Sequence, residues 1–215
     1  MERTINHQLI SIEGNIGSGK TSLATRLAED YGTRLILEQF ADNPFLPKFY
    51  EEPEQYAFPL ELFFMAERYQ QLKSQLLAPN LFKPSIISDY MFTKSLLFAH
   101  VTLRPDEYQL YQRLFNIINP QLPRPDLIVY LYASIPRLKS NIARRGRPYE
   151  QNISEEYLEK LQQTYLEYFR HHSDLPVLIV DVSRADFISK RQQYEAIRGL
   201  IEKKYGPGLH EAHIG

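Results

Sequence analysis

The chain has 215 residues, is 43% hydrophobic and 24% charged, carries a formal net charge of -1 and contains no cysteine. Those figures fit one domain with a sizeable core, give no electrostatic argument for nucleic-acid or membrane-surface binding, and exclude disulfides and thiol chemistry. Residues 1–7 lack the apolar core of a signal peptide, and no apolar run approaches the ~20 residues of a membrane span; the expectation is a cytoplasmic protein with no nucleic-acid and no membrane partner.

In chain order, Leu9–Ile12 is a strand-sized apolar run, followed by Gly14-Asn15-Ile16-Gly17-Ser18-Gly19-Lys20-Thr21 and a helical pattern over 20–30. Strand, glycine-rich turn and helix N-terminus together present several backbone N–H groups to one anion. Lys20 then reaches the β- and γ-phosphates of a nucleotide and the Thr21 hydroxyl is placed for Mg²⁺. A second apolar run, Leu35–Leu37, ends at Glu38. A long helix is predicted over 54–77, within a region dense in aromatics from Phe40 to Tyr69. Tyr50 and Arg68 add polar groups there, suited to a nucleoside sandwiched by rings.

A third run, Ile86–Ile87, ends at Asp89, placed either to hold Mg²⁺ or to cap the following helix. Helices are predicted over 91–101, 106–118, 135–145, 154–171 and 188–204. Strand-like runs occupy Leu127–Leu131 and Val177–Val180, the last ending at Asp181. Strands alternating with helices predict a parallel sheet with ligands at the carboxyl ends of its strands. Glu38 at such an end is either a carboxylate that accepts or aligns a hydroxyl proton or a capping acid. Arg144-Arg145-Gly146-Arg147 is either a lid that closes over phosphates or a solvated basic turn. The tail, residues 206–215 with His210 and His213, is expected to be frayed.

The phosphate loop Glu13-Gly-Asn-Ile-Gly-Ser-Gly-Lys-Thr21, the segment Phe49–Pro59, the strand Pro125–Leu131 and Arg145-Gly-Arg147 with Glu150 resemble the deoxyribonucleoside kinases, in register over roughly residues 8–204. The resemblance implies a single P-loop NTPase-type α/β domain over 1–215. It has five parallel strands with helices on both faces and an arginine-containing lid at about 144–152. It implies transfer of the γ-phosphate of ATP to the 5′-hydroxyl of a deoxyribonucleoside in nucleotide salvage, and a homodimer built on helices. Residues 14–21 would hold the donor, with Asp181 and Phe187 bordering its adenine. Glu38 would align the 5′-hydroxyl, Thr21 and Asp89 would serve Mg²⁺, and Arg145 and Arg147 would close on the phosphates. Tyr50 and Glu150 would hold the sugar 3′-hydroxyl, with Arg68 near the base.

Two departures stand out. The family's acid-Arg-Ser motif is Asp89-Tyr90-Met91 here, leaving Lys94 or a lid arginine to supply the missing charge. Where the family reads the base with glutamine, this chain has Glu61, an acceptor when ionised, which favours a purine bearing N–H donors. The alternatives are a thymidylate-like nucleoside monophosphate kinase, short of cations for an acceptor phosphate, and a GTPase-like switch, whose base-reading motif Thr93-Lys94-Ser95-Leu96 breaks at its final position.

Overall fold

The structure, a computed structural model, describes residues 5–39, 43–76 and 85–214; Phe40 and the last residue of the helix expected to end at 77 lie outside them. Six strands form one sheet: β1 (Leu9–Gly14), β2 (Arg34–Ile36), β3 (Ile86–Ser88), β4 (Leu127–Tyr132), β5 (Pro176–Asp181) and β6 (Gly208–His213). Their order is β2-β3-β1-β4-β5-β6 and every pairing is parallel. The helices are α1 (Lys20–Tyr31), α2 (Leu46–Glu51), α3 (Pro53–Leu76), α4 (Lys94–Thr102), α5 (Pro105–Ile118), α6 (Ile135–Arg145), α7 (Glu155–His171) and α8 (Arg191–Ile201).

The period-two geometry of a strand explains the two-sided core. Along β4, Leu127, Val129 and Leu131 pack with Leu23, Leu27, Leu138 and Ile197 of α1, α6 and α8. Ile128 and Tyr130 turn the other way, onto Leu97, Tyr165 and Phe169 of α4 and α7. Both faces are apolar, so β1 and β4 are near-continuous runs of buried residues, as strands covered on both sides must be.

Two expectations are corrected. The sheet has a sixth strand, and it is formed by the segment expected to be a frayed tail: β6 pairs with β5 from Pro176↔Gly208 to Asp181↔His213. Its alternating half-buried and exposed residues are the pattern of an edge strand with one covered face, which a stretch containing three glycines, a proline and two histidines disguises. The helix expected from 91 begins at Lys94, because residues 89–93 turn the chain out of β3 first.

Candidate active site

The phosphate loop opens at the carboxyl end of the central strand β1. Gly14, Gly17 and Gly19 all have positive φ, 148°, 84° and 92°. A side chain at Gly17 would place its Cβ 2.9 Å from the Leu138 carbonyl oxygen, and one at Gly19 would meet the Phe187 ring at 2.8 Å. The loop is thus pressed against α6 and the segment after β5, and only glycine allows both the turn and the approach. Two side-chain amides pin it. Asn15 Nδ2 donates to the Leu158 carbonyl at 2.7 Å and Asn141 Nδ2 donates to the Gly17 carbonyl at 2.8 Å. Gly19 caps α1 in a left-handed conformation, so the first N–H groups of the helix are left for an anion. Lys20 Nζ donates to the Asn15 carbonyl of the same loop at 2.9 Å. Burial and the neighbouring Lys94 ammonium lower its pKa to about 8 against the pull of three carboxylates.

Asp89 joins the loop to the second strand. Its Oδ2 accepts from the Thr21 hydroxyl at 2.6 Å and its Oδ1 from the Glu38 backbone N–H at 2.7 Å. The residue that precedes α4 as its cap is Thr93, so Asp89 is not the helix cap that its sequence position also allowed. Glu38 is half-buried rather than a surface acid, its side chain 14% exposed. Its Oε1 lies 2.7 Å from an Arg68 guanidinium nitrogen and its Oε2 lies 2.5 Å from Lys94 Nζ. Burial alone would push its carboxyl up; the two cations outweigh that and hold it at about 2. At neutral pH it is an ionised acceptor that binds a hydroxyl proton weakly until late in a reaction.

Helical spacing supplies the far wall. Glu61, Phe64 and Arg68 stand at i, i+3 and i+7 on α3 and so share a face. Lys94 and Phe98 stand at i and i+4 on α4. Glu61 Oε1 accepts from the Thr102 hydroxyl at 3.1 Å, while its Oε2 is buried with no hydrogen-bond partner. Burial, only partly offset by Arg68, pushes the Glu61 carboxyl up to about 7. On the third side Arg145 and Arg147 both pair with Glu150 across the turn that opens at Gly146, so the basic turn is a closed clamp. Tyr50 from α2 stacks on Tyr149 with ring centroids 5.9 Å apart; burial, then the Glu150 charge, raises the Tyr50 hydroxyl above its ordinary range.

One cavity is therefore lined by Ile16, Gly17, Lys20 and Thr21 of the loop together with Glu38, Asp89, Tyr50, Glu61, Arg68, Arg145, Arg147 and Glu150. Gly14 and Asn15 lie behind it as framework. Ser18, Gly19 and Phe187 line an adjacent recess with Arg137 and Arg144. Asp181 stands apart from both. It accepts from the Ser183 N–H at 2.8 Å and faces His213 of β6 at 3.5 Å, its partner in the β5–β6 register. Arg68 is also not simply a neighbour of the base, since its guanidinium is committed to Glu38 and to the Ser95 hydroxyl.

Sequence reasoning missed Tyr157 and Phe98 as cavity-lining rings. Both lie on helices whose apolar stripes look like ordinary core, and no local signal separates them from it. Glu13, which opens the phosphate-loop motif but is given no role by the sequence, is fully buried and accepts from the Met91 N–H at 2.6 Å and the Tyr165 hydroxyl at 2.9 Å. Burial raises its pKa despite nearby Lys94 and Lys20.

Residues 10–205 match the family described as "Deoxynucleoside kinase". The chain is 36% identical to a deoxyguanosine kinase of Bacillus subtilis (strain 168) over 90% of its own length and 96% of that protein's. It is 29% identical to that organism's deoxyadenosine/deoxycytidine kinase, over 89% of this chain and 90% of that one. The solved structure of M. mycoides deoxyadenosine kinase with bound dATP superposes with a TM-score of 0.78 at 26% identity, covering 92% of this chain and 100% of that one. With the phosphate loop, the ion-paired carboxylate of Glu38 and the arginine clamp converging on one cavity, and with this match along nearly its whole length, the chain belongs to the deoxynucleoside kinase family.

Proposed function

We propose that this kinase transfers the γ-phosphoryl group of ATP to the 5′-hydroxyl of a purine deoxyribonucleoside, in nucleotide salvage. The observation that carries the reading is a single cavity with Lys20 and ionised Glu38 at one end and the unpartnered carboxyl oxygen of Glu61 at the other. The α1 N-terminus and Lys20 hold the donor phosphates. Glu38 accepts the hydrogen bond of the 5′-hydroxyl and orients its oxygen. With a pKa near 2 it contributes alignment rather than early proton removal, which suits a loose transition state in which the attacking oxygen gains charge late. Tyr50 and Glu150 face each other over the lid turn and hold the sugar. Phe64, Phe98 and Tyr157 exclude water from the reacting atoms.

The hydroxyl of Thr21 and the carboxylate of Asp89 are hard oxygen donors beside Lys20 and fit Mg²⁺, which takes few protein ligands and fills its shell with water and phosphate oxygens. Such an ion would neutralise charge on the donor phosphates. Ser18, Gly19 and Phe187 border the donor's adenine.

Glu61 accounts for the purine. Ionised, it accepts from guanine N1–H and N2–H; protonated, it donates to adenine N1. The names of the relatives, deoxyguanosine and deoxyadenosine kinases, support the same class. A monophosphate acceptor is less well served, because the arginines of this cavity are already engaged with Glu38 and Glu150. The test is kcat/KM for the four deoxynucleosides with ATP and Mg²⁺. We expect deoxyguanosine first and deoxyadenosine second. Faster turnover of a pyrimidine nucleoside, or of any monophosphate, would overturn the reading.

The homodimer rests on α5, whose Leu110, Leu114 and Ile117 are exposed at i, i+4 and i+7. A stripe of that spacing on an outer helix suits helix packing against a second copy. Sedimentation of the wild type and of Ile117→Glu tests it, with a monomeric wild type refuting it. No helix among the described residues is long and apolar enough to cross a membrane. The lack of cysteine suits the reducing cytoplasm.

A further inference from the structure

We propose that Lys94 is a catalytic residue of this kinase. Its ammonium, paired with Glu38 in the cavity that the phosphate loop also lines, stabilises the charge that develops as the phosphoryl group passes to the acceptor oxygen. Four observations lead there.

The position directly after Asp89 brings no charge to the site. Tyr90 is fully buried, packs in the core beneath α3 and donates its hydroxyl to Gln71 Oε1 at 2.6 Å. Lys94, the first residue of α4, is only 5% exposed, yet its Nζ lies 2.5 Å from Glu38 Oε2 and lines the same cavity as Lys20, Thr21 and Asp89. A buried ammonium is costly to desolvate and a well-packed apolar side chain would fill the slot as well, so stability alone does not call for lysine there. The Lys94 charge also helps to lower the Lys20 pKa, so it lies within the field of the phosphate-holding lysine. Finally, the arginines of the cavity are engaged otherwise. Arg145 and Arg147 hold Glu150, and the Arg68 fork is closed on Glu38 Oε1 and the Ser95 hydroxyl. Arg68 acts through Glu38 as a positioning residue.

The step balances without a further reagent. A bond forms between the acceptor 5′-oxygen and the γ-phosphorus. The bond from that phosphorus to the bridging oxygen breaks, and its electron pair leaves with the nucleoside diphosphate. The hydroxyl proton passes late to Glu38. Lys94 supplies charge and no proton. The identity of the acceptor rests on the proposed function; the role of Lys94 in phosphoryl transfer holds for whichever acceptor the wild type uses best.

The experiment compares Lys94→Met, Lys94→Ala and Lys94→Arg with wild type on that best acceptor, with ATP affinity measured by equilibrium titration as the check on folding. We expect kcat to fall about 10²–10³-fold in the Met and Ala variants, with the acceptor KM within about threefold and ATP affinity retained. Arginine should restore part of the rate, and ethylammonium should rescue Lys94→Ala in a saturable way. Two results would overturn the proposal: a Met variant within about threefold of wild-type kcat, or a loss in both truncations that falls wholly on KM and resists amine rescue. The wild-type acceptor panel reports separately on the proposed function, so the two can fail independently.

Discussion

The two ends of the cavity are built on different principles. The donor end is backbone: three positive-φ glycines, the first turn of α1 and a lysine bonded to its own loop, all within residues 14–21. The acceptor end is side chains imported from α2, α3, α4 and the turn after α6, held by ion pairs between residues 30 and 56 positions apart. A backbone site cannot be retuned by substitution without breaking it; a side-chain site can. On the proposed function, the donor end serves every acceptor alike and selectivity among acceptors resides at the other end.

The largest effect should come where the halves meet. Glu38→Gln keeps the shape but removes the charge shared by Arg68 and Lys94, and kcat should fall about 10²–10⁴-fold in steady-state assays. Lys20→Ala should lower kcat/KM about 10²–10³-fold by the same proportion for every nucleoside, since the donor end does not see the base. Unequal losses across the nucleoside panel would break the comparison.

Glu61→Gln should do the opposite, leaving turnover of the best substrate nearly intact and changing the deoxyguanosine-to-deoxyadenosine ratio of kcat/KM by about 5–150-fold, the equivalent of 1–3 kcal/mol for one mispaired buried group. In the wild type that ratio should rise as pH increases through about 7, where the Glu61 carboxyl ionises, and the Gln variant should lose the dependence. Stability has its own sign. The folded carboxyl holds its proton to about 7 while the unfolded one releases it near 4.5. Across that window the folded state binds more protons, and stability falls as pH rises. Glu61→Gln should therefore raise the Tm of the ligand-free enzyme at pH 8 and leave it nearly unchanged at pH 4. Gly17→Ala should lower the Tm by several degrees, as a left-handed alanine against the Leu138 carbonyl costs about 1–2 kcal/mol. Asp181→Asn, remote from both ends, should leave kcat/KM within about twofold.

How much could be read beforehand follows the same division. Gly14 to Thr21 is contiguous, so its chemistry is legible as a string, and the helix over 135–145 was legible because its apolar stripe and its Gly146 stop are local signals. Glu38 and Asp89 were visible as acids ending apolar runs, but nothing local told a cap from a site. That needed the bonds from Thr21 and Lys94, which only the register of β2, β3 and β1 provides. Asp181 ends an apolar run as Glu38 does, but its carboxylate accepts from the Ser183 N–H and faces His213 of β6 instead of the cavity. β6 was hidden because its pairing energy comes from β5 and not from its own composition.

That last strand bears on how the protein behaves outside its reaction. Without residues 208–213, β5 would offer its bare N–H and C=O groups along a Val-Leu-Ile-Val run, a ready template for aggregation. β6 replaces that border with Gly-Leu-His-Glu-Ala-His, short and interrupted by polar and charged residues. A chain shortened before Gly208 would keep every cavity residue named above and still be expected to precipitate, and a bulky fusion joined too closely to Ile214 would crowd the strand that keeps the sheet in solution.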